Sequence, residues 1–421
     1  MSATTNPLPL VEETAPDTVD ALAEAVRRAA ESRQPVYPLG GRTALDLGRP
    51  PMAEGIGLST TGLDRVIEFD PQDMTVAVEA GITMSQLALA LAAEGQELPI
   101  DVPRASDATL GGVVATNWNG PRRYGRGTIR DYVIGIHAVD GRGVAFKSGG
   151  RVMKNVAGYD FCKLLTGSLG TLAVVTRLTL KVRPRSDVSA MMTSAFRDWK
   201  QVDDVLSALN ELPAAPVVVT LMAGSAASQH PGCSKAAGVL ATLTLRLEGT
   251  AAEIASMQGR LDSELGSTDA DAFQTLSDDV GAQLFGALAE FPDRGLEQSD
   301  GEGCRSPLVA KIIVRPSKVV EICRELLEVD PVCAIVVHAG NGVVLVRFSK
   351  LTESNASSAI VGRLRPAATK HGGSLVVLRT EFEGLTRQMV WGGRTAAHVW
   401  MENVKRELDP HGLLNPGRFV Y

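Results

Sequence analysis

Gly167 and Gly170, surrounded by small residues, run directly into Thr176–Arg183, where Leu178, Leu180 and Val182 alternate with Thr179, Lys181 and Arg183. The alternation predicts a half-buried strand. The glycines ahead of it let backbone N–H groups approach something flat or anionic. A plain glycine-rich turn would carry the same residues. Two further glycine clusters bear on the choice. The first is Pro38-Leu39-Gly40-Gly41-Arg42-Thr43, placed after a short apolar strand. Successive small residues there can present several N–H donors to a diphosphate, with Arg42 and Thr43 adding side-chain donors. The second runs from Thr109 through Gly111, Gly112 and Asn117 to Gly120. It suits close approach to a ligand, and equally a helix–strand packing seam. Arg122, Arg123 and Arg126 follow it, offering guanidinium groups for carboxylate or phosphate, with at least one of the three expected in a solvated turn.

These turns sit in a chain of 421 residues, long enough for two or three domains. A net charge of −6 without Lys/Arg blocks gives no electrostatic footprint for nucleic acid. Five cysteines with no CxxC pair predict neither a disulfide framework nor a metal or iron–sulfur site within the chain, and fit a reducing cytoplasm. The first twenty residues do not read as a signal peptide, and the longest apolar stretch, Val332–Val346, is too short to span a bilayer. GxGxxG after a strand, GxxxxGK[ST], GxSxG and HExxH are all absent, which removes the Rossmann, Walker, nucleophile-elbow and zincin readings.

Along the chain, Asp17 or Thr18 caps a helix ended by Pro35. Strands are expected at 65–69 and 75–79, a helix at 85–94 and a hairpin over 132–147 turning at Asp140-Gly141. Residues 307–379 read strand, helix, two strands, helix, strand, and 189–265 read as a looser copy. Both have the βαββαβ order of a ferredoxin-like unit. Residues 266–305, with one short helical run, read as a connecting or partner-facing segment, and a last helix near 396–408 leads into a Pro/Gly/Asn-rich tail expected to fold back.

Taken together, the loop Pro38–Thr43, the segment Thr109–Gly125, the segment Lys154–Thr176 and the tail Leu414-Asn415-Pro416-Gly417 resemble the flavoproteins with a PCMH-type (vanillyl-alcohol-oxidase-type) FAD-binding domain. The resemblance covers about residues 15–185 and 400–421. It implies an α+β fold: a two-subdomain FAD-binding domain over 1–184, a ferredoxin-like cap domain over 185–395, and a helix and tail over 396–421 returning to the FAD site. It further implies FAD contacts from Pro38, Gly40, Gly41, Arg42, Thr43, Thr109, Gly111, Gly112, Asn117, Gly120, Arg122, Gly170, Thr171, Val174, Val175 and Asn415. Relatives that tether FAD covalently carry a histidine in the first loop. Here Arg42-Thr43 stand there, so non-covalent FAD is implied.

Through GGRVMKNVAGYD and NWNGPRRYGRGTIRDY the chain is most similar to the FAD-binding subunits of glycolate-oxidising enzymes. That implies glycolate as substrate, a sister catalytic flavoprotein and an iron–sulfur subunit as partners. Relatives acting on 2-hydroxyacids carry HxGDGNxH and GEHGxG. Here the first is reduced to His338-Ala339-Gly340-Asn341-Gly342, and His371-Gly372-Gly373 does not match the second. Oxidising a 2-hydroxyacid needs a base, cations for the carboxylate and a hydride acceptor, and the sequence supplies convincing groups only for the last. No catalytic residue is assigned. Three readings stay open: a subunit working within a complex, a self-sufficient dehydrogenase of another hydroxyacid or alcohol, and a flavin-free scaffold.

Overall fold

The computed structural model describes residues 8–51, 53–150, 158–212, 215–265, 272–294 and 306–420. The chain forms two units, one of residues 1–119, 128–185 and 393–421, the other of 120–127 and 186–392.

The first unit opens with a parallel three-stranded sheet, in which β1 (Leu10–Thr14) and β2 (Val36–Leu39) flank β3 (Gly55–Ser59). The helix Val19–Ser32 connects β1 to β2. Of the two expected caps it uses Thr18, whose hydroxyl accepts from Ala21 N at 3.2 Å. Leu22, Ala25, Val26 and Ala29 bury one helix face, and Arg33 in the left-handed region ends the helix ahead of Pro35.

A second sheet has the order β4 (Val66–Asp70), β5 (Thr75–Glu79), β9 (Ala173–Lys181), β7 (Val133–Asp140), β8 (Ala145–Gly149), antiparallel throughout. Two short strands, β6 (Gln96–Glu97) and β10 (Arg183–Pro184), pair separately. The strand read as half-buried is the centre of this sheet. Thr176 and Thr179 are buried beside their apolar neighbours, and Thr176 satisfies its hydroxyl on the His137 carbonyl at 3.2 Å. Threonine fits such a two-sided strand because it is β-branched and needs only one acceptor.

In the second unit, eight strands form one sheet: β11 (Val188–Phe196), β12 (Val218–Gly224), β13 (Ala241–Gly249), β14 (Gln274–Thr275), β15 (Leu308–Ile313), β16 (Ala334–His338), β17 (Val343–Phe348) and β18 (Ser374–Thr380). Their order is β14-β11-β13-β12-β16-β17-β15-β18. Each half has the strand order of a ferredoxin-like unit, and the halves join where β12 pairs antiparallel with β16. Helices Trp199–Glu211, Ala251–Leu265 and Val319–Val329 and the helical run 353–370 cover one face, burying Leu221, Leu243, Ile335, Val337 and Val346 in a common core.

The other face meets the helix Asp278–Arg294, 17 residues long where the sequence suggests only one short helical run within the connecting segment; the rest of that segment is mostly outside the described residues. Gly281 packs this helix against Met191, and Arg347 donates to the carbonyls of Pro292 and Asp293 at 3.1 and 3.0 Å.

Candidate functional site

Four separated segments meet in the first unit. Gly40 and Gly41 press the first loop onto 107–109 so closely that a Cβ on Gly41 would fall inside the Asp107 carbonyl, and one on Gly40 inside the Thr109 hydroxyl. Gly167 N donates to Val114 O at 2.9 Å and Leu169 N to Ala115 O at 2.8 Å, tying the third turn to the second. A Cβ on Gly170 would stand 3.5 Å from Pro38 Cγ and 3.1 Å from Asn415 Nδ2, so first loop, third turn and tail share one spot.

The tail is fastened from several sides. Val36 N donates to Leu413 O at 2.8 Å, Asn415 N to Val36 O at 2.9 Å, and Asn415 Nδ2 to Leu169 O at 2.7 Å. Lys405, on the helix Ala397–Leu408, sends its ammonium to Thr171 O at 2.6 Å, Leu414 O at 3.0 Å and Asp409 Oδ2 at 2.6 Å. Asp409 also accepts from Leu413 N and Leu414 N. Burial pushes the Lys405 ammonium down, and the Asp409 charge works against that. The Lys405/Asp409 pair escaped the sequence reading, although its i, i+4 spacing across the helix end was visible.

The backbone here is held in uncommon conformations. Seven non-glycine residues among those described have positive φ, and Arg42, Asn117, Leu169 and Asn415 contribute one to each converging segment. Such strain gathers where a surrounding structure fixes a functional geometry.

Among the described residues, the N–H groups of Gly40, Gly41, Arg42 and Thr43 donate to no protein acceptor. A row of free donors on a strained loop fits the diphosphate of a dinucleotide, an acceptor-only anion. The Arg42 side chain, expected as a further donor, pairs instead with Glu13 on β1.

The second glycine cluster is not a loop. Leu110–Thr116 is a short helix capped by the Thr109 side chain, with Asn117 closing it at φ 50°. Gly111 packs against Ala80 as a helix–strand seam requires, whereas a Cβ on Gly112 would meet only the Thr109 hydroxyl, at 3.3 Å. Thr171 is buried, its hydroxyl on Ser168 O at 2.6 Å. Val174 and Val175 point into two hydrophobic cores. Lys154–Ala157 of the third motif lie outside the described residues.

Gly120 and Arg122 belong to the second unit. None of the nearby arginines that pair with Glu248 is a solvated turn residue. Arg126 reaches Glu248 Oε2 at 2.8 Å and Arg122 its Oε1 at 3.8 Å, joined by Arg246 from β13 at 2.9 Å. Burial would raise the Glu248 carboxyl, but the hydrogen bonds from Arg126 and Arg246 and the charge of Arg122 prevail and hold it below the usual range. Arg246 and Arg122 also lie over the Phe285 ring, at 4.3 and 5.6 Å from its centroid.

Comparison with known proteins agrees with this geometry. Residues 14–149 match the family described as "FAD binding domain". Glycolate oxidase subunit GlcE of Escherichia coli (strain K12) is 37% identical over 174 residues, 41% of this chain and 49% of that protein. D-lactate dehydrogenase of Archaeoglobus fulgidus is 38% identical over 170 residues, 40% of this chain and 38% of that protein. The chain thus spans under half the length of either relative. The crystal structure of p-cresol methylhydroxylase with substrate bound superposes with a TM-score of 0.74 at 17% identity, covering 98% of this chain and 91% of that one. The fold is the α+β, two-subdomain FAD-binding fold of the p-cresol methylhydroxylase type with a ferredoxin-like cap domain. The cofactor of this chain is FAD.

Proposed function

We propose that this chain is the FAD-binding subunit of a multi-subunit glycolate oxidase or dehydrogenase, an oxidoreductase acting on the CH–OH group of glycolate to give glyoxylate. The observation carrying this reading is the meeting of the first loop, the helix after Thr109, the Gly170 turn and the Asn415 tail around a row of unused backbone donors, in a chain similar to a glycolate oxidase subunit. In this reading the N–H groups of Gly40, Gly41, Arg42 and Thr43 hold the diphosphate. Thr109, Gly111, Gly112 and Asn117 line its course, Gly170 and Thr171 bring bare backbone to the flavin, and Asn415 pins the tail over it. Bound there, FAD supplies a hydride acceptor. The first loop has Arg42-Thr43 where a tethering histidine would stand, so binding is non-covalent.

Electrons pass onward to a sister flavoprotein and an iron–sulfur subunit, in the cytoplasm or at a membrane through that complex. Among the described residues no helix is long and apolar enough to cross a membrane.

The test is a native purification followed by an anaerobic flavin spectrum before and after glycolate. A yellow chain that releases FAD on denaturation and brings down a flavoprotein and an iron–sulfur protein is expected. A colourless chain, or one without either partner, overturns the proposal. Rapid bleaching of the isolated chain by a different hydroxyacid would establish instead a self-sufficient dehydrogenase.

A further inference from the structure

The tail from Asn415 to Arg418 holds two of the converging segments from a single turn of chain. Asn415 and Gly417 both have positive φ, and Arg418 N donates to Asn415 O at 3.3 Å, which closes the turn. One arm of it is Asn415, whose Nδ2 reaches Leu169 O just before Gly170. The other arm is Arg418. Only 7% of it is exposed, and its Nη2 donates to Leu47 O at 2.8 Å and also to Leu45 O. In return Arg49 N donates to Arg418 O at 3.2 Å. The side chain therefore ends on the segment that leaves the first loop two residues after Thr43.

That placement bears on the row of donors. Where the row begins is fixed by β2, which pairs with β3 and is bridged to Leu414 through Val36. Its middle is fixed by the close approach of Gly40 and Gly41 to 107–109. Between Thr43 and Gly55 the described residues form turns and bends, with no strand or helix. Holding such a segment in one conformation costs backbone entropy that its local turns offset poorly. Arg418 supplies the missing hold. Its guanidinium stays protonated, so both bonds are charge-assisted and stronger than a neutral pair would make. Burial pushes the guanidinium down from its ordinary value, and the Asp46 charge works against that.

We propose that Arg418 is a positioning residue for FAD: it fixes the exit of the first loop, so that the N–H groups of Gly40, Gly41, Arg42 and Thr43 converge before the diphosphate arrives. Asn415, on the same turn, sets the backbone beside Gly170, so one short stretch spaces the diphosphate contacts from the flavin contacts. A loop ordered in advance raises affinity, because the ordering cost no longer falls on the binding step. The inference rests on the reading of those four N–H groups as the diphosphate cradle.

The experiment uses the full-length chain, stripped of FAD and retitrated, with affinity read by quenching of flavin fluorescence. Arg418→Met keeps the aliphatic stem and is expected to weaken FAD at least about tenfold, because only chains with the loop in place bind. Arg418→Lys is expected to recover most of that loss, since both bonds leave one nitrogen and an ammonium can make them. Amide hydrogen exchange on the FAD-free chains separates positioning from general loosening. Arg418→Met should speed exchange at Leu47 and Arg49, whose N–H groups are bonded in this segment, and leave β7 and β9 at wild-type rates. Wild-type affinity in Arg418→Met, no recovery in Arg418→Lys, or faster exchange throughout β7 and β9 would each overturn the positioning role. Adding FAD to wild type tests the cradle itself. Slowed exchange at 40–43 is expected, and its absence refutes the cradle and the proposal with it. Slowed exchange at 40–43 together with wild-type affinity in Arg418→Met refutes the role of Arg418 alone.

Discussion

Glu248 shows how one carboxylate can organise a region. It is nearly inaccessible and gathers Arg122, Arg126 and Arg246 around itself, so ion pairs tie the 120–127 segment to the sheet. Glu248→Gln should destabilise the second unit by about 3 kcal/mol at neutral pH, read by chemical denaturation, because it strands buried guanidinium groups. The carboxyl is held below its unfolded value of about 4.3, so the contribution is complete above that value and is lost as pH falls through the folded one. The gap between wild type and variant should therefore close on acidification. At Gly41, substitution by valine has nowhere to place its Cβ, since the Asp107 carbonyl occupies that space. Gly41→Val should abolish flavin content, measured as visible absorbance per chain, while the second unit keeps its melting transition.

The helix Ala397–Leu408 and the tail after it act as a clasp on the FAD-binding unit. Asp409 accepts from Lys405 and from two tail N–H groups, and a Cβ on Gly141 would run into its side chain. Asp409→Asn should cost roughly 3 kcal/mol of stability in the first unit and lower FAD retention on dialysis. Elements of this kind were legible where local chemistry set them. Thr18 capping its helix, the turn at Asp140 and the double βαββαβ order follow from capping, turn and periodicity rules. The extent of the Thr109 helix was hard to read because Gly111 and Gly112 lower helix propensity; Gly111 answers to the packing seam on Ala80 that the sequence left open, whereas Gly112 meets only the Thr109 hydroxyl. That Arg122 and Arg126 both serve an internal carboxylate was out of reach, because Glu248 lies more than a hundred residues on.

At the scale of the molecule, all eight strands of the second unit's sheet come from the one stretch 186–392, whereas the FAD-binding unit is assembled from three stretches, the last of them 393–421. A chain ending at Gly392 should therefore keep a cooperative melting transition from the second unit and carry no flavin, checked by calorimetry and absorbance on one preparation. During synthesis on the ribosome, β2 has to wait for Leu414 to leave the exit tunnel before that strand edge is covered. Cofactor loading thereby depends on synthesis having passed Leu414: a chain terminated before that residue should stay apo and leave the β2 edge uncovered.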